Sequence, residues 1–117
     1  MNNYEEEHIK QEDKQKLVDT STINVVSILN TVDSILNGDR LDSYGSPLES
    51  FIRISDYWTD YLSHKGITDN ILKPSDAAMM MVLFKLAREE NKHKEDNIVD
   101  AIAYLVLYNN LIREELE

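Results

Sequence analysis

Apolar side chains recur at three- and four-residue intervals along most of this chain, and no segment alternates apolar and polar residues at the two-residue period of a strand. That spacing confines the chain to helices that bury one face each. Ile23, Val26, Leu29, Val32 and Leu36 mark a first helix over about residues 21–37, with Gly38 as its stop. Ser46-Pro47-Leu48-Glu49 reads as a second helix start, with Ser as cap, Pro at the first helical position and Glu three residues after the cap. Its inner face would carry Leu48, Phe51, Ile52, Ser55, Trp58 and Leu62, ending before Gly66. Pro74-Ser75-Asp76 opens a third helix that is apolar almost all round until Lys85, the pattern of a central helix. A fourth runs from Asn97 to Leu116 on Ile98, Ile102, Leu105 and Leu111 or Ile112.

Four helices joined by short loops predict an all-α, compact four-helix bundle. At 117 residues the chain is one domain in size. Residues 1–20 are polar and acidic and read as a mobile leader, which leaves 21–117 as a single helical domain.

Twenty-two Asp and Glu against twelve Lys and Arg leave a net charge of −10, which argues against a phosphate-tracking surface and so against duplex nucleic acid as a partner. A small anionic ligand is compatible with that charge, because a pocket needs only two or three convergent cations. The absence of cysteine removes disulfides, thiolate nucleophiles and thiolate zinc, and fits a reducing cytoplasm. The start of the chain carries no apolar signal core and no run approaches a membrane span, so neither export nor a membrane partner is expected.

Several polar residues stand where packing alone would not put them. Lys85 follows six apolar residues, and Arg88 lies one turn later. A buried cation is costly unless paired. Asp96, Asp100 and Tyr104 repeat every four residues on the fourth helix and form one polar stripe, so two cations can face two carboxylates. The four charges read either as salt bridges at the edge of the bundle or as a ligand site, with Asp96 and Asp100 as a seat for Mg²⁺.

The methionine run Met79-Met80-Met81 is read as core. Tyr57, Trp58 and Tyr61 suit core and rim, with one of them able to stack on a nucleobase. In the loop Gly38-Asp39-Arg40-Leu41-Asp42-Ser43-Tyr44-Gly45-Ser46-Pro47, either the helix amides beyond Ser46 bind phosphate, or Ser46 and Glu49 occupy those amides as a capping box. His8, His64 and His93 do not form a catalytic pattern, and no Gly-rich phosphate loop, nucleophile elbow or HExxH is present.

The ordered string Gly38-Asp39-Arg40, Tyr44-Gly45-x-Pro47, Phe51, Trp58, Met80-Met81, Lys85-x-Ala87-Arg88, Asp96-Asn97-x-Val99-Asp100 and Tyr104 resembles a family of small phage and prophage proteins of uncharacterised function. It is also distantly similar to the nucleotide-modification-associated and MazG-like all-α nucleoside triphosphate pyrophosphohydrolases. The resemblance covers roughly residues 28–108. Those enzymes hold Mg²⁺ on a paired-glutamate motif of one helix and a Glu-x-x-Asp of a later one; here the second helix has Glu49, Asp56 and Asp60 without paired glutamates, and Asp96 to Asp100 has a different spacing.

The resemblance implies a nucleotide-binding protein of the cytoplasm of an infected or lysogenic bacterial host. Such a protein, as a homo-oligomer, would hold or sequester a nucleotide or cyclic nucleotide, which is all that a phage protein capturing defence signals needs. Arg40, Lys85 and Arg88 are expected to meet phosphate, Tyr44 or Trp58 the base, and Asp96 or Asp100 the ligand hydroxyl or amino groups, with Tyr104 beside them. One alternative is a Mg²⁺-dependent pyrophosphohydrolase with Asp96, Asp100 and Glu49 as metal ligands. A second is an acidic module that binds a host protein.

Overall fold

The structure is a computed structural model that describes residues 22–38 and 45–116. Among them are four helices and no strand: α1 (Val26–Asn37), α2 (Pro47–His64), α3 (Pro74–Asn91) and α4 (Glu95–Leu116). None is long and apolar enough to cross a membrane. The all-α bundle expected from the periodicity is therefore the observed architecture. The leader, together with Arg40 and Tyr44, lies outside the described residues.

Helix ends follow local chemistry. Ser46 is the residue before α2 and Pro47 opens it, where a missing N–H costs nothing. The expected capping box is not made: the Ser46 side chain makes no cap bond, and among the described residues no side chain bonds the first-turn amides of α2. At its other end the Ile67 amide donates to Leu62 O and the Gly66 amide to Ser63 O, both at 3.0 Å, a Schellman closure. Gly66 sits at φ +70°, which any side chain would strain. Gly38 stops α1 for another reason, since a Cβ there would lie 2.2 Å from Ser34 O.

α3 begins on Lys73, whose amide donates to the Asp76 carboxylate at 2.9 Å. Two longer-range carboxylates then tie α3 to α4. Glu115, near the end of α4, accepts from Ser75 N at 3.0 Å and from Ser75 Oγ at 2.6 Å in the first turn of α3. Glu89, near the end of α3, accepts from Lys94 N at 2.8 Å and Asn97 Nδ2 at 3.3 Å at the start of α4, and also pairs with His93. Each helix of the hairpin thus satisfies the orphan amides of the other.

The core has two parts. Phe51, Ala77, Ala78, Leu107 and Leu111 bury one cluster, with Trp58, Met81, Leu36 and Tyr104 packed against it. Val32, Val99 and Ala103 form the other, beside Ile28, Ile35 and Ile102. Burying a side chain of the size of Phe51 or Leu107 contributes roughly 1.5–3 kcal/mol.

Three expectations are corrected. α1 starts at Val26 rather than near residue 21, and Ile23, in the irregular residues before it, is 87 % exposed. The buried stripe of α4 is Val99, Ala103, Leu107 and Leu111, while Ile98 and Ile102 are half-buried and Leu105 is exposed. Bulky residues occur on both sides of that stripe, so spacing alone could not fix its rotation; alanines facing the close-packed interior settle it. α3 is central but not enclosed, since Met80, Leu83, Phe84 and Leu86 remain exposed.

Candidate functional site

A cleft of about 430 Å³ opens where α1, the start of α2 and α4 meet. Ile35, Leu36, Phe51, Ala103 and Leu107 make its apolar walls, and Gly45, Pro47 and Ser50 bring the first turn of α2 to its rim. Tyr104 lines it edge-on to Phe51, with ring centroids 5.9 Å apart at 82°. Lys85 of α3 and Asp100 of α4 supply its charge.

Lys85 Nζ lies 2.7 Å from Asp100 Oδ2 and 3.9 Å from Asp96 Oδ2. The Lys85 side chain is 13 % exposed and that of Asp100 is 22 %, whereas that of Asp96 is 76 % exposed. A cation this far from water needs its carboxylate, and Asp100 provides it. An ammonium has three N–H donors, and the short contact to Asp100 engages one of them. The pair is therefore a neutralised but still donating group at the edge of a cleft with both apolar and polar lining.

The expected pairing of two cations with two carboxylates is replaced by one cation between two carboxylates. Arg88 turns away from the pair, with its guanidinium 5.4 Å from the centroid of the exposed Phe84 ring. Three residues along a helix rotate the side chain far enough that Lys85 points between α3 and α4 while Arg88 reaches the surface. Arg88 instead lines a second cleft of about 590 Å³ with Phe84, Lys92, Lys94, Asp96 and Asn97. Lys85 lines both clefts.

The remaining expected site residues separate. Trp58 packs half-buried against the core cluster and does not line the main cleft. Glu49 is exposed over another hollow, beside Glu114 and Glu115, apart from Asp96 and Asp100. The metal set of Asp96, Asp100 and Glu49 is accordingly not assembled, and among the described residues no group of three or more His, Asp or Glu side chains is placed to hold a metal ion. Phe51, Ser50 and Gly45 are cleft residues that the sequence reading did not assign to a site, Phe51 because its helical register marks it equally well as core.

Glu89 sits in a distinct electrostatic environment at the α3–α4 turn. Its hydrogen bond with His93, then the Lys94 amide, hold its carboxyl below the ordinary value of 4.5, with lesser help from Asn97 and the nearby His93 charge. Partial burial opposes this without reversing it. These bonds close the α3–α4 turn beside the second cleft, so Glu89 acts on the shape of the hairpin.

The chain is similar in sequence to phage proteins. The chain is 39 % identical over 80 residues to the Gene 55 protein of Mycobacterium phage L5, covering 68 % of this chain and 48 % of that protein. It is 30 % identical over 92 residues to the Gene 55 protein of Mycobacterium phage D29, covering 78 % of this chain and 57 % of the relative. The chain thus spans about half the length of the curated relatives it matches. No solved structure matches it. Residues 27–112, which take in all of the helical cleft, match the family described as Domain of unknown function (DUF6378), and the chain belongs to that family.

Proposed function

We propose that the domain is a nucleotide-binding module that holds a nucleotide or cyclic nucleotide in the cleft between α1, α2 and α4. The observation that carries this reading is the placement of the Lys85–Asp100 pair at the edge of a 430 Å³ cleft that combines aliphatic and aromatic walls with the Ser50 and Gly45 rim. Such a cleft offers a base or sugar an apolar wall with Tyr104 at its side, and offers an anionic group the Lys85 ammonium. Asp100 has a second oxygen available as acceptor for a hydroxyl or amino group, and it keeps Lys85 aimed. A purely structural pair at a helix edge needs no cleft beside it.

The test is a thermal-shift panel of nucleoside mono-, di- and triphosphates and cyclic dinucleotides, each with and without Mg²⁺, followed by chromatography of the incubated compound. Stabilisation with the compound recovered intact is the expected result, since a ligand that binds only the folded state raises its stability by mass action. Recovery of monophosphate and pyrophosphate would replace sequestration with the MazG-like pyrophosphohydrolase reading. No shift with any member would overturn nucleotide binding and leave the host-protein module. Self-association is proposed alongside, because Leu83 and Leu86 of α3 are 57 % and 49 % exposed; light scattering should give a mass above that of one chain.

A further inference from the structure

The second cleft concentrates positive charge on a chain that is otherwise acidic. The described residues contain eight Lys and Arg, namely Arg53, Lys65, Lys73, Lys85, Arg88, Lys92, Lys94 and Arg113, and four of these eight line this one cleft. Asp96 is its single acidic lining residue. Against a net charge of −10 for the chain, that local excess has to come from placement, and two helix ends achieve it. Arg88 stands on the last turn of α3 with Lys92 immediately after it, and Lys94 precedes α4.

The cations are also held in position. The Phe84 ring 5.4 Å from Arg88 supports the guanidinium by its π face, which leaves the edge N–H donors directed elsewhere. The Glu89 carboxylate bonds the Lys94 amide at 2.8 Å and so fixes the backbone on which the Lys94 side chain is carried. It also occupies an amide at the start of α4, so any anion in the cleft must be bound by side chains more than by the helix terminus.

Lys85 joins this cleft to the one described above, with Asp100 at 2.7 Å lining the first and Asp96 at 3.9 Å lining the second. We infer that the second cleft is a polyanion subsite, in which Arg88, Lys92 and Lys94 take the di- or triphosphate of a ligand whose base or sugar lies in the first cleft across Lys85. This rests on the nucleotide reading for the first cleft. The subsite itself stands on the charge distribution and makes a separate claim, that affinity rises with the number of phosphates. A small polyanion fits better than a nucleic acid, because half of the described cations converge on this one cleft while the chain's net charge of −10 repels a long phosphate chain.

The test uses inorganic tripolyphosphate as well as an adenosine series from nucleoside to triphosphate, titrated calorimetrically into the full chain at low and at physiological salt. Tripolyphosphate is expected to bind with an affinity that falls as salt rises, and the triphosphate to bind at least tenfold more tightly than the monophosphate. In the triple variant Arg88→Gln, Lys92→Gln, Lys94→Gln, whose three positions are all exposed, tripolyphosphate binding and the triphosphate advantage should both vanish while the melting temperature stays close to that of the parent. Equal affinity across mono-, di- and triphosphate, or tripolyphosphate binding unchanged in the triple variant, would overturn the subsite while leaving the first cleft as a nucleotide site. Tripolyphosphate binding lost in the variant, with no nucleoside or nucleotide affinity beyond it, would instead sink the reading of the first cleft and keep the anion seat. Absence of tripolyphosphate binding to the parent chain overturns the inference.

Discussion

The hairpin of α3 and α4 is closed at both ends by carboxylates that cross between the helices, whereas α1 and α2 begin on Val25 and Ser46 with, among the described residues, no side chain bonded to their first-turn amides. The hairpin also buries Ala77 and Ala78 completely, while α1 leaves Val26 at 69 % and Leu29 at 48 % exposure. The difference divides labour within one small bundle. The hairpin provides a fixed frame that carries Lys85, Asp96 and Asp100, and the more loosely tied α1 and α2 form the far walls of the cleft against it. A ligand site at such a seam has one rigid side and one side that can adjust.

The contrast can be broken most severely at Phe51, which spans both halves by packing with Ala77, Ala78 and Leu107 while lining the cleft. Phe51→Ala should lower the unfolding free energy in urea by about 3–5 kcal/mol, the usual cost of emptying a core aromatic position. A smaller loss is expected from Glu115→Ala, which removes both acceptors of Ser75 and should cost about 1.5–3 kcal/mol as charge-assisted bonds to a buried partner are lost.

At Glu89 the readout is acid. Its folded carboxyl titrates below 4.5, so its contribution is fully present above that value and is lost as the pH falls through the lowered folded value. Stability curves of parent and Glu89→Gln should therefore converge in that acidic window and separate above it, with the parent more stable. Ser46→Ala should change stability least, within about 0.5 kcal/mol, because Ser46 makes no side-chain cap bond to lose. A large loss there, or none at Glu115, would remove the distinction between the two halves.

Much of this architecture was legible in the residues. Pro47, Pro74, Gly38 and Gly66 mark helix boundaries by local stereochemistry, and the structure keeps them within a few residues. Lys85 was readable as a paired cation because it follows six apolar residues on a helix with a carboxylate stripe on α4 to face it, and Asp100 is its partner. Arg88 does not join the Lys85 pair because a three-residue offset keeps a side chain near the same face without keeping it at the same depth. Glu115 and Glu89 carried no signal, since a glutamate that caps a helix forty residues away, as Glu115 does for Ser75, looks in sequence like any solvated one. Glu49 was drawn into a metal set by analogy with another family's motif, and its position over a separate hollow depends on where α2 crosses α4, which no local pattern encodes.

The central claim is that nucleotides occupy the cleft at the Lys85–Asp100 pair. Amide and side-chain chemical-shift mapping of the isotope-labelled full chain, titrated with ATP, dCTP and a cyclic dinucleotide, tests it most directly. Saturable shifts clustered on Gly45, Ser50, Phe51, Lys85, Asp100 and Tyr104 are expected, abolished in Lys85→Met/Asp100→Leu with the helical signals retained. Shifts confined to the exposed face of α3, or none at saturating concentrations of all three compounds, would contradict it.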